Sequence, residues 1–562
     1  MNKKIIILLL IAIFLIHCLN TSAVNLKNFN DTNDFLSNPD DFILKIRNEY
    51  NIRESSIQGY DSTIDPIYCK IWENPEFDAS STRGFAYDNN GYCYVMTSLA
   101  DLDGMIRVNE HIGILKYDLS DGSLVKEILL ESNQNPSAAG ITFHNGHIYI
   151  VGEYPSFIAK LDTNLNIIKV TTLENFYFQP RDVLSDNTGI YIAGDVYNPD
   201  SDDFDVFLIK FNSNCELVWE DIVYWDYQDE TMSGYTVNNG NIYLTGSTRI
   251  KNPDETFTWW SFILKYDSNG NLLKQLIGEE LETGFSIKIA NGKIFVGYGV
   301  VTPADNIMGY VYDLKVSAYN SDFETEPIWS YVFDQSMLDM GFDVIIVNGQ
   351  VFLLGTTIDI VGMDAYMRPF LIKINGQNGN EIWAKDFTGL CIPDDIQVIG
   401  NEIVLCGEAI SEMHQYGMFM KCDDQGGDGS DLFVSPYFVS LGEVKQGASK
   451  SSSFKLKNNG AETISWNVKS FPEWVVMNPV EGNLDPNEDV KITVSLRSAG
   501  MVVDFHTGVI EIESDGGNEK IDVALNLIQK QSKSNLFLSR VAELFPFIQK
   551  LIQIPIIEKI LS

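Results

Sequence analysis

The sequence predicts an all-β protein, a seven-bladed β-propeller followed by an immunoglobulin-like β-sandwich. Three observations carry the expectation. A turn-and-strand pattern recurs through the body of the chain at intervals near 50 residues, which marks a repeat architecture. The composition favours strands, with 25 tyrosines, 32 phenylalanines and 42 glycines in 562 residues, because aromatic side chains fit a pleated, half-buried surface. After residue 431 the pattern gives way to short alternating strands over 432–528, the size of an immunoglobulin-like module.

The chain opens with Lys3 and Lys4, an apolar run from Ile5 to Ile16, and the small residues Thr21-Ser22-Ala23. That is the form of a secretory signal peptide over 1–23, since a spanning helix needs about 20 apolar residues. His17 before Cys18 does not fit a lipidated cysteine. No later run reaches the length of a transmembrane helix. Residues 24–66 read as an N-terminal extension, in which Ser37-Asn-Pro-Asp40 before Phe42-Ile-Leu-Lys-Ile46 predicts a short capped helix.

The repeat occupies 67–427. Its clearest part is a turn followed by a strand: Asn90-Gly91, Asn145-Gly146, Asn187-Thr-Gly189, Asn239-Gly240, Asn291-Gly292, Asn348-Gly349 and Gly400-Asn401 each precede an alternating apolar segment. These strands end at 97, 152, 194, 246, 298, 355 and 407, spacings of 55, 42, 52, 52, 57 and 52. Asn-Gly between alternating apolar residues signals a hairpin, because both turn residues take positive φ. A strand precedes each turn, a Phe-Leu-Ile-Lys-like strand follows, and a fourth often carries tryptophan, as at Trp219, Trp329 and Trp383. Four antiparallel strands per repeat make a propeller blade, whose faces are covered by stacking against its neighbours. The last copy stops at Cys422 before the linker Asp423–Asp431, so 67–74 is expected to supply its missing outer strand and close the ring. On that expectation Cys69 lies beside Cys422, where a disulfide would lock the closure.

The units Thr245-Gly246-Ser-Thr with Phe262-Ile-Leu-Lys-Tyr-Asp-Ser-Asn-Gly270, and Asp205-Val-Phe-Leu-Ile-Lys210, resemble the repeats of secreted seven-bladed (SBBP-type) propeller proteins. The resemblance implies fold and secretion; it implies no chemistry, since propellers host many functions. Asn378-Gly379-Asn-Glu-Ile-Trp383 looks like one repeat of the quinone-dependent dehydrogenase propellers, but the other copies depart from it and no cofactor is expected. In the second domain, Trp466-Asn-Val, Pro472-Glu-Trp474-Val and Pro479-Val-Glu-Gly482-Asn-Leu-Asp-Pro486 resemble BACON and choice-of-anchor modules of surface proteins. That likeness implies either a spacer or a carbohydrate binder. Residues 529–562 form a polar linker and an apolar tail broken by Pro546 and Pro555, which suits either an amphipathic helix on the body or an envelope-attachment signal.

Chemistry is sparse. Lys and Arg total 39 against 77 acidic residues, a net charge of -38, which opposes nucleic-acid partners and anionic membranes. There is no HExxH, GxSxG, Walker loop or dinucleotide fingerprint, and no CxxC or zinc-like spacing. Turns such as Asp88-Asn-Asn-Gly91 and Asp267-Ser-Asn-Gly270 could hold calcium, but plain Asx turns explain them, and no metal is expected there. The longest connections, 98–111, 196–205, 248–260, 299–309 and 357–368, are second-to-third-strand loops that share one face, where function concentrates. Two patches there combine aromatic rings with carboxylates: Tyr224-Trp225-Asp226-Tyr227-Gln-Asp229, and Phe257 with Trp259. Such a set suits sugar faces or a cationic peptide. The bland reading makes Trp260 core and the acids a solvated rim. The function expected is therefore a secreted or cell-surface, non-enzymatic binder of a glycan or surface protein. The alternatives are a propeller polysaccharide lyase or glycosidase using carboxylates such as Asp226 and Asp229, and a structural envelope component.

Overall fold

The computed structural model describes residues 44–47, 53–55, 68–73, 77, 79–103, 106–132, 136–153, 155–173, 178–198, 203–223, 230–251, 257–303, 310–323, 326–334, 338–361, 364–386, 391–400, 402–411, 414–423, 432–435, 438–458, 462–486, 488–497 and 501–528. The expected signal peptide and the C-terminal tail lie outside them. Among the described residues no helix is long and apolar enough to cross a membrane.

Three short strands come first: β1 (Leu44–Arg47), β2 (Arg53–Ser55) and β3 (Tyr68–Glu73). Antiparallel sets of four follow: β4 (Ala79–Tyr87), β5 (Tyr92–Asp103), β6 (Ile106–Asp118) and β7 (Leu124–Ser132); β8 (Ser137–His144), β9 (His147–Glu153), β10 (Phe157–Leu161) and β11 (Ile167–Thr172). Next come β12 (Phe178–Asp186), β13 (Gly189–Asn198), β14 (Asp203–Phe211) and β15 (Leu217–Val223), then β16 (Glu230–Asn238), β17 (Asn241–Lys251), β18 (Phe257–Tyr266) and β19 (Leu272–Glu280). The pattern continues with β20 (Glu282–Ala290), β21 (Lys293–Pro303), β22 (Tyr310–Asn320) and β23 (Trp329–Phe333), and with β24 (Leu338–Val347), β25 (Gln350–Val361), β26 (Asp364–Asn375) and β27 (Glu381–Asp386). It ends with β28 (Cys391–Ile399), β29 (Glu402–Ser411) and β30 (His414–Asp423), on whose free edge β3 pairs. The first strands of the sets touch one another in order, β4, β8, β12, β16, β20, β24, β28 and back to β4. The region is propeller-like, with these strands around an axis.

Local chemistry explains the repeat. Asn145, Asn239, Asn291 and Asn348 have φ between 48° and 52°, and the glycines after them between 72° and 78°. These are two-residue hairpin turns whose twist matches the strands they join. A glycine within the second strand faces a phenylalanine of the third: Gly194 pairs with Phe207, Gly246 with Phe262 and Gly355 with Phe370. A methyl group on Gly246 would stand 2.8 Å from Phe262 Cζ, so the ring closes over the bare backbone.

The lysine three residues after that position of the third strand joins neighbouring sets. Lys210 Nζ donates to Ser268 O at 2.8 Å and lies 5.2 Å from the Tyr191 ring centroid. Lys116 reaches Thr163 O at 3.0 Å, and Lys160 reaches Ser213 O at 2.8 Å. Lys421 of β30 reaches Leu119 O at 3.1 Å, carrying the same contact across the closure. The outer-strand tryptophans do related work, since Trp219 Nε1 donates to Ser268 O at 3.0 Å and Trp329 Nε1 to Gly376 O at 3.3 Å.

The second unit is a sandwich. One sheet runs β31 (Leu432–Ser435), β33 (Ser451–Asn458), β37 (Asp489–Leu496) and β35 (Val475–Asn478); the other runs β32 (Phe438–Lys445), β39 (Glu519–Ile528), β38 (Phe505–Ser514), β34 (Ile464–Ser470) and β36 (Glu481–Leu484). Its core centres on Trp466, Phe454, Ile492 and Ile510. Strands β31, β32 and β39 touch β25 and β27.

Three expectations need adjustment. Leu44–Arg47, inside the expected helix, is a strand on the outer edge of β7, with Leu44 opposite Ser132 and Arg47 opposite Leu129. The unpaired edge of β7 offers ladder hydrogen bonds to an incoming strand, and these outweigh the local capping signal. Cys69 stands opposite Met420, so Cys422 lies two residues along the ladder rather than directly across; the side chains of both cysteines lie outside the described residues. The long connections are mostly hairpin arms, not loops, because their strands keep pairing beyond the sheets.

Candidate functional site

The first strand of every set carries a β-bulge at one level: register shifts fall at Thr82/Phe85, Ala138/Gly140, Pro180/Asp182, Met232/Gly234, Gly284/Ser286, Gly341/Asp343 and Pro393/Asp395. A bulge re-aims the side chain beside it. Small residues occupy the position after the bulge in several sets, but Asp182, Asp343 and Asp395 occupy it in three. A methyl group at Gly140 would collide with Asp182, so the glycine makes room for that carboxylate.

These aspartates are held by neighbouring strands. Asp343 Oδ1 accepts from Ser286 Oγ at 2.6 Å and from Val344 N at 2.8 Å, and pairs with Lys288 Nζ at 3.1 Å. Asp395 Oδ2 accepts from Phe85 N at 3.3 Å across the closure. Burial, reinforced by Asp395, pushes Asp182 up to about 8. Burial and Asp343 push Asp395 up to about 6. Burial works against the charge of Lys288, but Asp343 and Asp395 beside it raise its pKa overall.

Nearer the chain-entry ends of the first strands, Arg181 binds Asp195 through Nη2 at 2.6 Å and Nε at 2.8 Å, and Asp195 Oδ1 also accepts from Met232 N at 2.8 Å. Burial raises Asp195 in spite of Arg181. Glu153, at the end of β9, is pushed up to about 7 by burial, against the pull of Arg181 and Arg83.

Hairpin arms stand around this end of the axis. Past the last residue paired to a first strand, β5 and β6 continue for three pairs to Asp103–Ile106, β17 and β18 to Lys251–Phe257, β21 and β22 to Pro303–Tyr310, and β25 and β26 to Val361–Asp364. At about 3.4 Å per residue each such arm rises roughly 10 Å. β13–β14 and β29–β30 add two pairs each, to Asn198–Asp203 and Ser411–His414. β9 and β10 add none beyond Gly152–Phe157. The wall is therefore notched at β9–β10, beside Glu153, while the opposite face carries tight turns.

Trp259 is half-buried on the β17–β18 arm, opposite Arg249, whose guanidinium lies 5.9 Å from its ring centroid. Phe257 ends the same arm opposite Lys251; its side chain is outside the described residues, as are Tyr224, Trp225, Asp226, Tyr227 and Asp229. Trp260 is half-buried, opposite Thr248. The sequence reading missed the axial acids. Their signal was an aspartate in a repeat column otherwise held by glycine or serine.

A family model described as the viral BACON domain matches residues 431–525. Among curated proteins none matches the chain in sequence. Solved structures similar to it include Drosophila Semaphorin 2a, at 8% identity over 86% of this chain and 98% of that one with a TM-score of 0.40. BamB from Moraxella catarrhalis shows 12% identity over 67% and 100%, TM-score 0.37. The β-propeller domain of the Trilobed protease from Pyrococcus furiosus shows 11% identity over 63% and 97%, TM-score 0.37. At these scores the description of the fold rests on the strand order itself.

Proposed function

We propose that the chain is a secreted or cell-surface binding protein: a seven-bladed propeller, carried on a BACON-type sandwich, that engages a glycan or a surface protein within the notched cup. The observation that carries the reading is the asymmetry between faces. Hairpin arms rise around the axis at one end, and tight Asn-Gly turns close the other. A rigid scaffold presenting variable arms on one face is the usual arrangement of a binding surface. The net charge of -38 favours a cationic or uncharged partner and not nucleic acid. Trp259 on its arm, with Phe257 and the Tyr224–Asp229 segment, supplies rings and carboxylates suited to sugar hydroxyls or basic side chains. We read the N-terminal 23 residues as the export signal and 529–562 as an attachment tail.

The test is glycan-array binding by the mature chain beside a Trp225→Ala/Trp259→Ala variant of verified fold. Binding lost in the variant supports the reading. Binding retained in full removes these residues from the site, and no binding by either protein moves the proposal to a protein partner. One observation favours catalysis as a second reading. Glu153, held at about 7 beside the notch, has the divided protonation of a general acid–base group. Polysaccharide cleavage abolished by Glu153→Gln would support it.

A further inference from the structure

A second cluster of acids lies where the β20–β23 set meets β24. Strand register brings it together. β22 and β24 approach in parallel at Tyr312 and Leu338, which sets the next residues, Asp313 and Asp339, side by side. β23 pairs with β22 up to Phe333 opposite Leu314, so Asp334, one residue on, arrives at the level of Asp313. Each aspartate brings a carboxylate oxygen within 4.8 Å of the other two.

Asp313 is 7% exposed and Asp339 0%, whereas Asp334 is open to solvent. Thr302 Oγ1 donates to Asp313 Oδ2 at 3.3 Å. Asp313 Oδ1 is buried and has no hydrogen-bond partner. A buried carboxylate oxygen without a donor, in a side chain beside two more carboxylates, is costly unless a proton or a cation joins the group. The nearest lysine on the strand, Lys315, is engaged by Glu282 and Glu279.

We propose that Asp313, Asp334 and Asp339 form a divalent-cation site whose natural occupant is calcium. Three carboxylates and no nitrogen or sulfur ligand select a hard cation. Calcium accepts an irregular oxygen shell at 2.3–2.6 Å, completed by water on the open side. The ion offsets the repulsion among the three carboxylates and ties β22, the end of β23 and β24 together at the base of the β21–β22 arm, where Val300 pairs with Asp313. This role is independent of what the cup binds.

The test is thermal unfolding of the full chain in EDTA and in calcium, beside Asp334→Asn, a substitution at an exposed position. Extracellular calcium modules bind with Kd of about 10⁻⁴–10⁻³ M, so a few millimolar calcium saturates such a site. The expected result is a rise in the wild-type midpoint with calcium, a smaller rise with magnesium, and no rise in the variant. In EDTA the variant should melt at or above the wild type, because one repelling charge is gone. A wild-type midpoint that is the same in EDTA and calcium overturns the proposal. So does a calcium-induced rise that survives intact in Asp334→Asn, which would put the ion elsewhere.

Discussion

Replacing Lys421 with methionine tests whether the repeated lysine contact holds the ring shut. Its side chain is 7% exposed; Nζ donates to Leu119 O at 3.1 Å and pairs with Glu402 Oε2 at 2.7 Å. Methionine keeps most of the apolar stem, so the charged contact is what the substitution removes. A hydrogen bond to a charged group contributes roughly 1.5–3 kcal/mol. The Glu402 carboxylate is 37% exposed, so solvent screening limits its share to about 1 kcal/mol or less. The expected loss is therefore about 2–3 kcal/mol, dominated by the Leu119 contact. Lys160 makes the same kind of contact, with Ser213 O, in an exposed setting, and its methionine variant should lose under about 1 kcal/mol. Urea unfolding gives the two numbers. Hydrogen exchange locates the effect, because β3 pairs with β30 through Tyr68–Lys421 to Trp72–Gly417 and should lose protection selectively in Lys421→Met. Equal stability losses in the two variants, with β3 protection unchanged, would refute the reasoning.

Two further predictions follow from packing and charge. Asp182 at about 8 and Glu153 at about 7 stand above their unfolded values of about 4. Between those limits the native state holds protons that the unfolded chain has released, so stability falls as pH rises from about 4 to about 8. Asp182→Asn should flatten that slope, read as the urea midpoint at about pH 5 and about pH 9, and an unchanged slope would contradict the assignment. Gly246→Ala, whose methyl would stand 1.9 Å from Thr231 O and 2.8 Å from Phe262 Cζ, should cost about 3 kcal/mol by overpacking, with little restored by Phe262→Leu because the backbone oxygen stays in place; a variant as stable as the parent in the same unfolding assay would remove the close-approach explanation of the motif.

The repeat was legible because its determinants are local. Asn239-Gly240 makes a turn with any two flanking strands, and Gly246 with Phe262 meets across a single hairpin. The same locality misled at 37–46. Pro39 and Asp40 do favour a helix start, but the free edge of β7, built from residues about 90 positions further on, decides for a strand. The extent of the hairpin arms was equally hidden. A polar stretch such as 248–260 reads as a loop until continued pairing, Arg249 to Trp259 and Lys251 to Phe257, converts most of it into strand.

The chain by itself determined the order of strands, the turn chemistry, the sandwich after residue 431 and the strong negative charge, since each follows from neighbours within one hairpin or from composition. Only the tertiary structure decided which acids meet. Asp182, Asp343 and Asp395 lie on three separate first strands, whereas Asp313 lies on β22, Asp334 one residue past β23 and Asp339 on β24. Their proximity depends on closing the sheets around one axis and on the register between sets. Charge repulsion opposes those encounters, so no local preference writes them into the sequence; the buried apolar surface of the packed sheets enforces them.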